Sequence, residues 1–116
     1  MLSKLANVGP RTSWWFEYLK ATTVTCLPVY SLLLALNMTN VDYFSLDVEG
    51  GELDVLKTIP FHSVNIKVLS VEYNLVKMMD GADEEMKELM RTNGYRLVTQ
   101  VNKGNAQDYI FARTDL

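Results

Sequence analysis

VDYFSLDVEGGE, residues 41–52, joins a strand-like apolar run to three carboxylates arranged around two adjacent glycines. The apolar and β-branched positions in its first half are typical of a β-strand. Asp47, Glu49 and Glu52 follow at the point where that strand should end. In an open α/β sheet, ligands bind in the crevice beyond the carboxyl ends of the strands. The stretch therefore predicts one edge of a binding site.

The adjoining residues extend this stretch into a strand–turn–helix–strand unit. Residues 41–48 are apolar through most of their length, as expected of a central parallel strand covered on both faces. Residues 51–57 begin with acidic side chains, which suit the positive end of a helix dipole, and Pro60 ends the helix. Residues 65–73 predict a second strand. Because this strand is reached through one helix, we expect it to lie parallel beside the first.

The rest of the chain predicts an α/β fold that ends in an antiparallel pair of strands. The elements expected outside the central unit are a β-branched strand at 22–27, an apolar helix at 29–36, a helix at 83–92, and a hairpin of strands at 95–101 and 108–113. The helix at 29–36 is apolar on all sides, so we expect it to be buried. Residues 1–21 show no clear period and contain a cluster of aromatic residues. We therefore divide the chain into an irregular segment, 1–21, and one domain, 22–116.

Four acidic side chains should converge where the two parallel strands end. Asp47 and Glu72 lie at the carboxyl ends of neighbouring strands, which places them about 5 Å apart. Glu49 should leave the strand on the same side, and Glu52 should lie at the start of the helix. Carboxylates this close either raise one another's pKa, as a general base requires, or share a divalent cation.

Structural interpretations of the same residues remain open. Glu52 is equally consistent with an ordinary acidic residue at a helix N-terminus, and Glu49 with a solvated loop residue. Asp47 is consistent with a side chain that accepts hydrogen bonds from the amides of the turn at residues 50–51. Gly50 could allow a ligand to approach the backbone, or could only provide a positive φ for a tight turn.

Composition excludes several classes of function. The chain has 116 residues, 11 Lys and Arg against 14 Asp and Glu, and a net charge of −3, so we expect no nucleic-acid partner. Its single cysteine, Cys26, provides neither an internal disulfide nor a zinc motif. The longest apolar run, residues 27–36, is much shorter than the roughly 20 residues of a membrane helix. No targeting segment assigns the chain to a compartment.

Two segments of the sequence resemble a known family. Residues 41–61, VDYFSLDVEGGELDVLKTIPF, and residues 68–74, VLSVEYN, are similar to the carboxyl-terminal half of the FkbM-type S-adenosylmethionine-dependent methyltransferase domain. Within that family the sequence most resembles the variant in Star-like proteins, in which an apolar helix precedes the DxEGxE motif and Ile-Pro-Phe follows it. The resemblance covers the chain from about Cys26 to the final hairpin.

The resemblance implies a seven-stranded, Rossmann-like methyltransferase sheet with S-adenosylmethionine as its cofactor. It places Asp47 and Glu49 at the end of the fourth strand, with Asp47 and Glu72 as catalytic residues and Glu49 and Gly50 at the cofactor. The family's glycine-rich loop has no counterpart, because the chain contains no G-x-G segment. We therefore expect a partial domain that is inactive and does not bind the cofactor by itself, and that has an unpaired sheet edge prone to self-association.

Three functions are consistent with these patterns. The first is methyl transfer, with Asp47 positioning or deprotonating an acceptor hydroxyl. The second is a noncatalytic role, like that of Star-like proteins, in the trafficking of membrane-protein cargo through the endoplasmic reticulum, Golgi and endosomes. The third is an incomplete gene product without independent activity.

Overall fold

The computed structural model describes residues 22–116. These residues form three helices, one short 3₁₀ turn and four strands. In chain order they are α1 (Val29–Ala35), β1 (Asn40–Leu46), α2 (Glu52–Thr58), β2 (Asn65–Glu72), the 3₁₀ turn (Val76–Met78), α3 (Ala82–Thr92), β3 (Tyr95–Lys103) and β4 (Ala106–Arg113). The irregular segment at residues 1–21, with its aromatic cluster, lies outside the described residues.

The four strands form one mixed sheet in the order β1-β2-β4-β3. β1 and β2 are parallel, with Leu46 opposite Val71 at their carboxyl ends, and β4 is antiparallel to both β2 and β3. The predicted α/β class, the parallel pair and the terminal hairpin are confirmed. A two-residue turn, Gly104-Asn105, joins β3 to β4, and the positive φ of Gly104, 58°, suits its first position.

β1 occupies an edge of the described sheet, so within this part of the chain it is not the central strand covered on both faces that its apolar run predicts. The unpaired edge expected from the resemblance is the outer edge of β1. Its burial is correspondingly low: Leu46 is buried, Val41 and Phe44 are partly buried, and Tyr43 is exposed. β2 and β4 are the interior strands. An apolar run identifies a strand that can be buried, but the position of the strand in the sheet depends on its neighbours.

The strand predicted at 22–27 is also wrong. These residues are irregular and exposed in the structure, and Val24 and Leu27 present their side chains to solvent. β-branched residues favour extended backbone, but a strand also needs a neighbour that completes its hydrogen bonds. No described strand pairs with this segment.

Helix α1 forms where predicted, but it is not buried on all sides. Only Leu33 is buried, whereas Leu32 and Leu34 are half exposed. Among the described elements, α1 packs against α2 along one face. Its remaining leucines therefore lie on an open apolar surface.

The core lies between the helices and the two interior strands. Met86 and Met90 on one face of α3 are fully buried, as the spacing of that helix predicts, together with Leu69 of β2 and Phe111 of β4. Polar contacts complete the attachment of α3, because the Tyr109 hydroxyl donates to Asp83 at 2.7 Å. No helix in the described part of the chain has the length and apolar content needed to cross a bilayer.

Replacing Leu56 should destabilise the domain strongly, because its side chain on α2 is fully buried in this core. Leu56→Ala removes most of that side chain and leaves a cavity, so we expect a loss of about 2–5 kcal/mol in the free energy of unfolding. Leu36→Ala is the matched control, since Leu36 is exposed, and it should change stability by less than about 0.5 kcal/mol. Urea unfolding followed by circular dichroism measures both, and equal losses would contradict the assignment of Leu56 to the core.

Candidate acidic site at the strand ends

The parallel pairing of β1 and β2 brings Asp47 beside Glu72. Leu46 and Val71 are opposite each other at the ends of the two strands, and each is followed directly by one of these acids. Their carboxyl groups lie close enough to influence each other's protons. One carboxylate oxygen from each of Asp47, Glu49 and Glu72 lies within 4.8 Å of the other two. Three of the four acids expected at this edge therefore meet there, and their functional roles remain predictions.

The contact between these acids changes the pKa of Glu72. The hydrogen bond to Asp47 is the largest influence, and burial together with the negative charges of Asp47, Glu49 and Glu52 adds to it, raising the pKa of Glu72 to about 7. The protonated Glu72 carboxyl can donate to the Asp47 carboxylate, whereas two ionised groups would repel each other. The pair therefore shares one proton at slightly acidic pH and loses it near neutrality.

Glu52 lies beneath this group rather than on its open rim. Its side chain is only 1% exposed, and it begins α2. One carboxylate oxygen accepts hydrogen bonds from the backbone N–H of Val48 at 2.9 Å and of Gly50 at 3.2 Å, and the other oxygen accepts from Gly50 at 3.0 Å. The amide of Gly50 thus bonds to Glu52. The sequence had left open that Asp47 accepts this hydrogen bond, and for Gly50 it does not.

The turn between β1 and α2 uses unusual backbone conformations. Glu49 has a φ of 55° and Gly50 a φ of 106°. A positive φ is uncommon for a residue other than glycine, so the Glu49 conformation must be held by its surroundings. A Cβ atom at Gly50 would lie 3.4 Å from Met79 Cε and 3.5 Å from Leu75 Cβ. Glycine at this position is explained by the turn, and a contact between Gly50 and a cofactor remains a prediction.

Exposed apolar side chains lie beside the turn between β1 and α2. Met79 is close to Gly50, and Val48 is close to Gly51. Met78, which precedes Met79, is 76% exposed. In the 3₁₀ turn it is Val76 that is buried, which directs the two methionines towards solvent.

Tyr73, which directly follows Glu72, and His62, the chain's single histidine, do not belong to this group of acids. Tyr73 is buried, stacks on Tyr109 at a ring-centroid distance of 4.0 Å, and accepts a hydrogen bond from Gln100 at 2.5 Å. Its packing role accounts for its position. His62 is exposed and lines a shallow depression at the amino ends of β1 and β2, the opposite end of the sheet.

The acids can interact with cations or with hydrogen-bond donors. Their oxygen atoms are close enough for a hard cation to bridge them. Exposed acidic groups commonly cluster without a cation, and we assign no metal to these residues. The buried position of Glu52 and the apolar surroundings of the acids did not follow from the sequence. The only feature of the sequence that could have indicated the buried position of Glu52 is its place two residues after Gly50. An acidic residue at that place is also typical of an ordinary helix start.

In a comparison with known protein families, the acidic residues of this site lie within a segment that matches one family. The methyltransferase FkbM domain matches residues 2–97, a span that contains the whole DxEGxE motif and Glu72. The match begins within the segment that the sequence resemblance did not reach and ends in β3. No curated protein and no solved structure matches the chain.

The stability of the domain should fall as pH rises through the range in which Glu72 titrates. The pKa of Glu72 in the folded protein, about 7, lies above its ordinary value of 4.5, so the folded protein binds this proton more tightly than the unfolded chain does. The resulting stabilisation is complete below pH 4.5, is lost as pH rises to about 7, and does not change further above that. Urea unfolding between about pH 5 and 8 should show a loss of about 1 kcal/mol, since solvent screens this partly exposed pair.

Glu72→Gln is the control for this pH dependence. Its carboxamide has a similar size and can donate to Asp47, but it does not titrate. The variant should therefore lose the part of the pH dependence that is due to Glu72. The same decrease in stability from acidic to neutral pH in both proteins would contradict the raised pKa.

Proposed function

The chain belongs to the methyltransferase FkbM domain family, and on that premise we propose that Asp47 and Glu72 serve S-adenosylmethionine-dependent methyl transfer. The observation that supports this is the close approach of their carboxyl groups at the carboxyl ends of two parallel strands, which raises the pKa of Glu72 to about 7. A group that accepts a proton in catalysis works best when its pKa lies near the working pH. Glu72 has this property because Asp47 lies beside it.

Asp47 is the catalytic base in this proposal, and Glu72 assists it. When bound, the cofactor supplies a methyl group whose bond to a positively charged sulfur breaks, leaving the electron pair on sulfur, as the acceptor oxygen bonds to the methyl carbon. Asp47 is exposed and takes up the proton of the acceptor hydroxyl. The proton then passes to Glu72, whose pKa is raised to about 7 by Asp47 and the other neighbouring acids.

The residues at this edge suit the cofactor's chemistry. S-adenosylmethionine carries positive charges on its sulfonium and amino groups and has ribose hydroxyls that donate hydrogen bonds. Glu49 is exposed beside Asp47, and both can accept such bonds. The amide of Gly50 is already bonded to Glu52, so Gly50 would contribute its carbonyl oxygen or its close backbone approach.

Isotope labelling in cells tests the methyl transfer whatever the identity of the acceptor. Cells that express the protein receive methionine labelled in its methyl group, and labelled products are compared between the wild type, Asp47→Asn and the control Asp54→Asn, whose side chain is exposed on α2. We expect at least one product to fall by about tenfold or more in Asp47→Asn alone, because loss of a general base typically costs more than that. If every labelled product is unchanged in a stable Asp47→Asn protein, the proposal is wrong.

The finer architecture is part of the same proposal. The four described strands represent the latter part of a seven-stranded methyltransferase sheet, with β1 as its fourth strand. The sequence contains no G-x-G segment that could form the family's glycine-rich loop beside the cofactor. We therefore propose that the 116-residue chain in isolation binds S-adenosylmethionine only weakly.

Calorimetry of the purified 116-residue chain tests this weak binding. Titration with S-adenosylmethionine at micromolar protein concentration should give no heat of binding, because the acids at one edge supply only part of a cofactor site. S-adenosylhomocysteine, which lacks the sulfonium charge, serves as the control ligand. A saturable heat with S-adenosylmethionine would show that the described acids and the remaining chain suffice to bind the cofactor.

The second candidate function is the noncatalytic, Star-like one. It is favoured by the exposed leucines of α1 and by the outer edge of β1, which pairs with no other strand of the described sheet. Such surfaces bind protein partners, here membrane-protein cargo of the endoplasmic reticulum, Golgi and endosomes, or a second copy of the chain. If this function is correct, the labelled products are the same in the wild type and Asp47→Asn. Cargo export, measured in the same cells, then falls on substitution of Leu34 and not on substitution of Asp47.

A further inference from the structure

Glu52 is the one charged residue that the described part of the chain buries almost completely. An ionised carboxylate in such a position is costly unless hydrogen bonds replace its lost hydration. The two backbone amides of Val48 and Gly50 provide three such contacts, at 2.9 to 3.2 Å. The Glu52 carboxylate thus lies beneath an exposed turn, and two backbone amides of that turn donate hydrogen bonds to it.

The two amides are those that orient the neighbouring acids. The N–H of Val48 belongs to the peptide group whose carbonyl carbon is that of Asp47, and the N–H of Gly50 belongs to the peptide group of Glu49. Because each peptide group is planar, fixing the direction of its N–H fixes the backbone angle ψ of the preceding residue. Glu52 therefore restrains the backbone of both Asp47 and Glu49.

The conformation of Glu49 shows that such a restraint is needed. Its φ of 55° is unfavourable for a residue with a Cβ atom and persists only where the surroundings hold it. The bond to Gly50 closes the turn directly after Glu49. Without it, the backbone would be free to return to a more common conformation and move the Glu49 carboxylate.

We propose that Glu52 is a positioning residue, whose carboxylate anchors the amides of Val48 and Gly50 and thereby keeps Asp47 and Glu49 within reach of Glu72. The positioning role of Glu52 rests on the proposed function, in which Asp47 is the base. The restraint itself does not depend on any cofactor or acceptor. It can therefore be measured on the chain alone.

Two substitutions separate the geometry of Glu52 from its charge. Glu52→Gln keeps the length of the side chain but has a single acceptor oxygen, and its NH₂ group would face the N–H of Gly50. Glu52→Asp keeps the charge but is one methylene group too short to reach the same amides. Glu84→Gln is the matched control, because Glu84 lies in the first turn of α3 and is exposed.

Amide hydrogen exchange and the titration of Glu72, both followed by NMR, are the measurements. In the wild type, the amides of Val48 and Gly50 should be protected although the turn is exposed. In both Glu52 variants their exchange should be about tenfold faster or more, which corresponds to loss of a hydrogen bond to a charged group. The titration midpoint of Glu72 should fall towards 4.5 in Glu52→Asp as well as in Glu52→Gln, because Asp47 is no longer held beside it. The control should change neither measurement.

The charge-retaining variant decides between the two explanations. If the Glu72 midpoint falls in Glu52→Gln but stays at its wild-type value in Glu52→Asp, Glu52 acts only through its charge and the proposal is overturned. Should neither variant fold, unprotected Val48 and Gly50 amides in the wild type would overturn it, and protected ones would support it. These measurements do not involve methyl transfer. A negative result in them therefore does not contradict the proposed activity, and a negative labelling result does not contradict the restraint by Glu52.

Discussion

The parallel pairing of β1 with β2 is the interaction on which the rest of the structure depends. It places Leu46 opposite Val71, and the next residue on each strand is an acid. Because side chains alternate along a strand, a shift of the register by one residue would turn Asp47 and Glu72 to opposite faces and leave their pKa values unlinked. The same pairing starts the turn that enters α2 and thereby brings Glu52 beneath it.

This pairing concentrates negative charge where a fold selected only for stability would avoid it. Asp47, Glu49 and Glu72 have oxygen atoms within 4.8 Å of one another, and Glu49 has a strained backbone. Neighbouring like charges and positive φ values both cost free energy. A compact core beneath them, including the fully buried Leu69 and Val71, offsets that cost. Such a combination of strain and charge above a firm core is typical of a binding or catalytic edge.

The helix, strand and turn pattern of the domain could be predicted because it depends on local chemistry. The periodicity of α3, the apolar run of β2 and the turn before β4 all lie within short segments and are confirmed by the structure. The strand expected at 22–27 was wrong, and in the described sheet β1 lies at an edge rather than at the centre. Both depend on whether another strand lies alongside, and a segment's own residues do not contain that information.

By itself, the sequence determined which chemical groups follow the strands and that β1 and β2 run parallel, because residue order and chain connectivity suffice for both. Only the tertiary structure decided that Glu52 is buried under the turn while Met79 is exposed beside it. Burial depends on the elements that fold over a residue, and these come from distant parts of the chain. In the acidic motif of residues 41–52, Asp47 and Glu49 are therefore exposed, and the last residue of the motif holds their backbone from below.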